Sequence, residues 1–337
     1  MKIRKIICFI ICIGCIACVC IRMGSLSLNA AANSSIEENL EVEQLNNNSY
    51  VAKRELTIKV PIEQKMTEKV KIDQDHLNQT YKVSLELKQA CEIKKRSLED
   101  QFLPQTLQKL KLANKDSSDV KYILQFEMKS VYEVSYRWED DSLVLQFQPP
   151  KKKYNKIIVL DAGHGGSDCG ALSQDKKHYE KDINLAIVKK LGGYLEKEGV
   201  KVYFTRVNDK KISLDQRVTL ANMIDADLFL SIHCNSVGKE SPNGSAAFYA
   251  EQTGHNTSNS KKIAELLLES TQKALNRKNI GTYSGQKYYV VGHAVVPTVL
   301  LETAFISNNS DLNYLINKQY QDKLAKELGK AVRKSIQ

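Results

Sequence analysis

Four residues of this chain, by type and setting, could perform hydrolysis: His164 in IIVLDAGHGGSDCGA, Glu180 in HYEKDINLAI, His233 in ADLFLSIHCNS and Glu302 in VPTVLLETAFISN. Two imidazoles and a carboxylate form a common catalytic zinc set that leaves a fourth position for water. A second carboxylate outside that set can take the water's proton and return it to a leaving amine. His164 sits among glycines directly after one apolar run, and His233 ends another, DLFLSI. Glu302 is enclosed in VVPTVLLETAFI, where an ionised carboxylate is costly unless a cation or a proton-transfer task accounts for it. Glu180 precedes a helical pattern, where an acid also complements the helix dipole. His178, two residues away, is a rival ligand on local spacing alone.

Neighbouring residues fill in the setting. Cys169 and Cys234 flank the histidines and are further thiol donors, although two histidines and one glutamate already suffice. Arg206 and Arg217 are read as holding a helix against a sheet, with a substrate carboxylate as their other use. Asn235 either binds substrate or holds the loop after His233. The 236–257 stretch shapes the cleft, and His255 and His293 are read as surface or supporting residues. His76 lies far from these motifs and is expected at the surface.

The elements that must position these side chains follow from periodicity. KIIVLD at 156–161, VKVYFTR at 200–206, DLFLSIH at 227–233, SAAFYA at 245–250, YYVVG and TVLLET read as strands. Between them, Ile183, Ile187, Leu191 and Leu195 recur at spacing four over 182–198, the face of a helix ending at Gly199. Ser213 caps a second helix, Ser258 to Asn276 forms a third, and Asp311 opens a last one. Strand–helix alternation predicts an α/β fold with a mostly parallel sheet flanked by helices. Ligands then gather at the carboxyl ends of the strands.

Before residue 150 the pattern differs. Runs at 56–60, 81–87, 122–128, 131–138 and 143–148 alternate apolar and polar residues, which predicts half-buried strands in a small β-rich domain over 51–150. A helix or irregular connection is expected over 88–118. Pro149-Pro150 and the following lysines mark a boundary, placing the catalytic domain at 151–337. Residues 33–50 read as a flexible polar linker. Lys2, Arg4 and Lys5 precede an apolar run to Ile21 and small residues near Ala30, the layout of an export signal over 1–32, with a retained membrane anchor as second choice. Five cysteines (Cys8, Cys12, Cys15, Cys18, Cys20) fall in that run, and Cys91, Cys169 and Cys234 give no disulfide framework.

The chain has 337 residues, 42% hydrophobic and 26% charged, which excludes wholesale disorder. Its net charge of +10 suits an anionic surface. The basic residues are scattered, however, and no aromatic-interleaved basic stripe points to nucleic acid.

In order, VLDAGHGGSDCGA, EKDINLAI, TR with LDQRVTLAN, ADLFLSIHCNS and PTVLLETAFISNNSD resemble the motifs of zinc-dependent N-acetylmuramoyl-L-alanine amidases, the type 3 family of bacterial cell-wall hydrolases. The resemblance covers residues 156–335. It implies that His164, Glu180 and His233 bind Zn2+, that Glu302 is the catalytic acid/base, and that His178 is not a ligand. It further implies cleavage of the amide between N-acetylmuramic acid and L-alanine of the peptidoglycan stem peptide. Cys234, Ala304 and Cys169 depart from the small residue, glycine and proline usual at those places. None removes a ligand. The β-rich region is similar in layout to wall-targeting domains, which implies wall-polymer binding outside the cell. The rival readings are a zinc carboxypeptidase using a free Arg206 or Arg217, and a wall-binding protein without turnover.

Overall fold

Alternating residues build the first part of the chain and continuous apolar runs the second, and the two patterns give different architectures. A computed structural model describes residues 42–46, 49–89, 91–102, 106–114, 120–237, 242–251 and 259–337. The expected export signal lies outside the described residues. Among the described residues no helix is long and apolar enough to cross a membrane.

Strands β1 (Val42–Asn46) and β2 (Ser49–Ala52) pair antiparallel, so part of the expected linker is a two-stranded ribbon. Composition alone cannot show that a polar strand has found a partner. β3 (Leu56–Val60) is followed by β4 (Thr67–Asp75), β5 (Thr80–Leu87), β6 (Leu107–Asn114), β7 (Lys121–Met128), β8 (Glu133–Glu139) and β9 (Ser142–Gln148). They form a three-stranded sheet, β3-β9-β8, and a four-stranded sheet, β4-β5-β7-β6. The inward positions, Tyr81, Val83 and Leu85 of β5, Leu124 and Phe126 of β7, and Leu145 and Phe147 of β9, share one core. The expectation of a helix or irregular connection over 88–118 is half right. A short helix, Lys95–Glu99, is followed by β6, whose LQKLKLAN alternates around buried Leu110. β4 escaped notice because its edge position leaves Val70 and Ile72 only partly covered.

In the second part every position of β10 (Ile157–Ala162) is buried, as expected for a strand covered on both faces. With β11 (Lys201–Phe204), β12 (Leu228–Asn235), β13 (Ser245–Tyr249), β14 (Asn279–Ser284) and β15 (Thr298–Phe305) it forms a sheet of order β11-β10-β12-β15-β13-β14. All neighbouring pairs are parallel except β13 with β15. The sheet is therefore mostly parallel, and it is flanked by helices. YYVVG is not a strand: Tyr289–Gly292 is one helical turn whose Val290 and Val291 are buried. Four apolar residues in a row fit either state.

Helices cover both faces. Glu180–Lys197 packs Ile183, Ile187, Leu191 and Leu195 into the same cluster as Ser260–Leu275 and Lys318–Ser335. Leu214–Ile224 covers the opposite face with Val218, Ala221 and Ile224. Its start is fixed by a capping box between Ser213 and Gln216. The β-rich part docks on that same face: Val131 joins the cluster of Ile157, Val159 and Tyr203. His76, expected at the surface, is instead mostly enclosed there, edge-on to Tyr203 at 5.0 Å between ring centres and with Nε2 3.3 Å from Glu133. Sequence could not show this because its cover comes from the far half of the chain.

The crossovers after β10 and after β11 lead to opposite sides of β10, so the sheet has a topological switch point between β10 and β12. An α/β sheet opens a crevice at such a point, outside the carboxyl ends of its strands.

Candidate metal centre

His164 leaves β10 on one side of that crevice and His233 stands at the end of β12 on the other. In register, Ala162 pairs with Ile232, and the Gly163 amide donates to the Ile232 carbonyl at 3.0 Å. Gly163 therefore faces the His233 ring directly. A Cβ there would lie 2.3 Å from that ring, so glycine is required. His164 itself takes a left-handed φ of 64°, uncommon outside glycine, and this turns its imidazole back over the strand ends.

Glu180, first residue of its helix, reaches both histidines. Its Oε2 lies 3.3 Å from His164 Nε2, and its Oε1 lies 2.9 Å from His233 Nδ1. One donor atom from each of the three residues falls within 4.8 Å of the others. Backbone amides of Ala171 (2.9 Å) and Cys234 (3.1 Å) also donate to the Glu180 carboxylate. Burial would raise its pKa, but the hydrogen bonds and charges of both histidines outweigh this and hold the carboxyl well below the usual range. Burial opposes a charge on His164, yet Glu180 and Asp168 win and raise it to about 9. His233 is also raised, against its burial, by Glu180 and then Glu302. The pocket thus favours positive charge among these donors.

Glu302 lies beside them. β12 and β15 run parallel with His233 in register with Glu302. Its Oε2 is shut from solvent and has no hydrogen-bond partner. Burial pushes its pKa up to about 7, with His233 pulling the other way and Glu180 adding to the rise.

Beneath the histidines, buried Asp161 accepts from Thr205, Ser231 and Arg217, each at 2.6 Å. Sequence reading missed this network and Asp168, whose carboxylate lies 2.9 Å from His164 Nδ1. The signals were present: an acid closing an apolar strand, and an acid four residues after a histidine. Arg217 also donates to the carbonyls of Ala162, His164 and Ile212. Arg206 donates to those of Ala162, Gly163, Lys181 and Asn208. Both arginines are engaged in holding loops.

His178 is not in the donor cluster. Cys234 turns its thiol to Asn184 and Thr303, and Cys169 to the Gly170 carbonyl. Asn235 holds its own loop, its side chain accepting from the Ser236 amide at 2.8 Å. Ala304 is buried within β15. His293 is exposed and stacked on Tyr289, and His255 falls outside the described residues.

Residues 158–334, just over half of the chain, match the family model described as N-acetylmuramoyl-L-alanine amidase. The chain belongs to that family. LytC, an N-acetylmuramoyl-L-alanine amidase of Bacillus subtilis, is 38% identical over 51% of this chain, and the match spans 34% of LytC's own length. A germination-specific N-acetylmuramoyl-L-alanine amidase of the same organism is 31% identical over 62% of this chain and 89% of the relative. Among solved structures, the catalytic domain of CwlV from Bacillus (Paenibacillus) polymyxa var. colistinus superposes with a TM-score of 0.50 at 32% identity. That match covers 53% of this chain and 97% of CwlV's domain. The amidase domain is the part carrying the His164, Glu180, His233 and Glu302 cluster.

Proposed function

We propose that this amidase family member hydrolyses the amide between N-acetylmuramic acid and L-alanine of peptidoglycan, with His164, Glu180 and His233 holding Zn2+ and Glu302 moving the proton. The observation that carries the reading is Glu302: a buried carboxylate whose Oε2 has no partner, in register with a histidine of the donor cluster. The donor set fits the metal: two imidazoles and one carboxylate whose donor atoms converge within 4.8 Å, in a pocket that favours positive charge. Zinc, when bound, supplies a Lewis acid that polarises the amide carbonyl and acidifies water.

The chain's own residues account for the rest. Asp168 fixes the His164 ring through Nδ1, which leaves Nε2 facing Glu180 and the donor cluster. Glu302, with a pKa near 7, accepts the proton of the attacking water and gives it to the departing alanine nitrogen. The Asp161–Arg217 pair keeps the His164 loop in place. Because Arg206 spends its donors on carbonyls and Arg217 on carbonyls and Asp161, neither supplies the terminal-carboxylate clamp that a carboxypeptidase needs.

The 51–150 unit is assigned contact with a wall polymer. The outward positions of β4 to β7 carry Lys69, Lys71, Lys82, Lys109, Lys111 and Lys121, interspersed with Asp73, Glu86 and Glu127. Such a chain acts outside the cell, at the wall.

The test is incubation of metal-loaded protein with purified muropeptides. Release of intact stem peptide beginning with L-alanine is expected; loss of only a terminal residue would sink the reading in favour of a peptidase. Zinc content measured on the same sample tests the ligand set, and sedimentation of the Glu302→Ala chain with purified walls tests binding apart from turnover.

A further inference from the structure

The cleft over the donor cluster, about 360 Å³, has one wall that hydrolysis leaves without a task. Beside His164 and His233 it is lined by Leu214, Tyr288, Tyr289 and Val290. Leu214 is 53% exposed and Tyr289 36% exposed. Large apolar side chains scattered singly need no explanation, but gathered in a cleft with converging polar groups they mark a ligand surface.

Tyr289 is also held in one orientation. Its ring stacks on the His293 imidazole at 4.0 Å and 13°, and His293 Nδ1 lies 3.1 Å from the Tyr289 carbonyl. The phenol hydroxyl reaches Asp215 at 3.4 Å. One ring face is thus covered by His293, while the residue lines the cleft and keeps about a third of its surface exposed.

We infer that Tyr289, backed by His293 and extended by Leu214, is a stacking platform for an N-acetylhexosamine ring on the glycan side of the scissile amide. This rests on the amidase reading. A pyranose presents a face of C–H groups that suits the negative face of an aromatic ring. Its hydroxyls are donors that suit the Asp215 carboxylate at the platform's edge. An acidic side chain would meet repulsion from that same carboxylate at the platform's edge, whereas a sugar's hydroxyls find an acceptor there. The sugar must lie within a few bonds of the attacked carbonyl, and the platform shares its cleft with both histidines.

The experiment titrates the full, zinc-loaded chain carrying Glu302→Gln with the peptide-free disaccharide of N-acetylglucosamine and N-acetylmuramic acid, and separately with free stem peptide. Adding Tyr289→Ala is expected to weaken disaccharide binding about tenfold, and Leu214→Asn about threefold, with stem-peptide affinity unchanged. Tyr289→Phe keeps disaccharide affinity within about twofold, because the ring and not the hydroxyl does the stacking. In the otherwise unaltered chain, Tyr289→Ala raises KM for intact muropeptides more than it lowers kcat. Unchanged disaccharide affinity in Tyr289→Ala, or loss of peptide binding instead, overturns the platform. Binding needs no turnover, so absence of stem-peptide release by the unaltered chain would count against the amidase reaction alone.

Discussion

Glu133 and Glu302 each carry a carboxylate largely shut from solvent beside a histidine, and they meet opposite fates. Glu133, at the junction of the β-rich and amidase parts, has both oxygens occupied. Tyr203 donates at 2.6 Å and Tyr154 at 3.1 Å, while Lys201 lies at 3.1 Å and His76 at 3.3 Å. Burial would raise its pKa, but these partners outweigh it and hold the carboxyl low. Glu302 has no partner for Oε2, and burial carries it up to about 7. A satisfied buried charge ties elements together. An unsatisfied one keeps its capacity for a proton, which is what an acid/base needs near neutral pH.

The largest effect that could break this contrast is on turnover. Glu302→Gln keeps the shape and removes the proton acceptor, so muropeptide hydrolysis should fall about 10²- to 10⁴-fold with zinc content unchanged. A loss of less than about tenfold would leave Glu302 without the assigned task. Glu133→Gln should leave turnover close to the starting rate. The next effect is on metal and stability together. Chelation, or His233→Ala, should lower the thermal midpoint by about 5–10 °C, because zinc binds the folded chain and not the unfolded one. A midpoint indifferent to chelator and to added zinc would remove the metal from the reading.

How much of this was legible in the sequence depends on where each residue finds its partners. The inner strands of the amidase part were readable because they are continuous apolar runs, whereas the switch point needed the order of strands in the sheet, which the structure supplies. His164 and His233 end such runs, so their convergence was foreseeable. Glu302 was legible as a charge without local reason. Edge strands β4 and β14 were not, since solvent on one side blurs their pattern, and Tyr289–Gly292 was too short to distinguish helix from strand. His76 and Glu133 were opaque for a further reason. Their neighbours Tyr203 and Lys201 lie in the other half of the chain, and no local period records a contact of that kind.

A smaller effect sharpens the comparison from Glu133's side. Glu133→Gln leaves Tyr203, Tyr154 and Lys201 with one neutral acceptor in place of a carboxylate, which costs about 1–3 kcal/mol. Urea unfolding should show this loss. An unchanged midpoint would mean that water replaces Glu133 in the junction and that the polar cluster does not hold the two parts together.

The smallest effect per unit of pH separates the two glutamates by sign. In metal-free protein the folded Glu302 has a pKa of about 7 against an ordinary 4.5, so between those values the folded chain keeps a proton that the unfolded chain has lost. Its contribution is complete below about 4.5 and is lost as pH rises through about 7. Glu133 is lowered, so its contribution is present above the ordinary 4.5 and is lost as pH falls through its folded value. Either slope is at most about 1.4 kcal/mol per pH unit for one proton. Denaturant unfolding of chelated protein from about pH 3 to about pH 8 should therefore show two separable limbs. Glu302→Gln should make the neutral limb shallower, the remainder belonging to His164 and His233. Glu133→Gln should make the acid limb shallower, the remainder belonging to carboxylates such as Glu180. If Glu302→Gln alters the acid limb instead, its carboxyl is ionised and partnered in the folded chain, and the contrast between the two sites collapses.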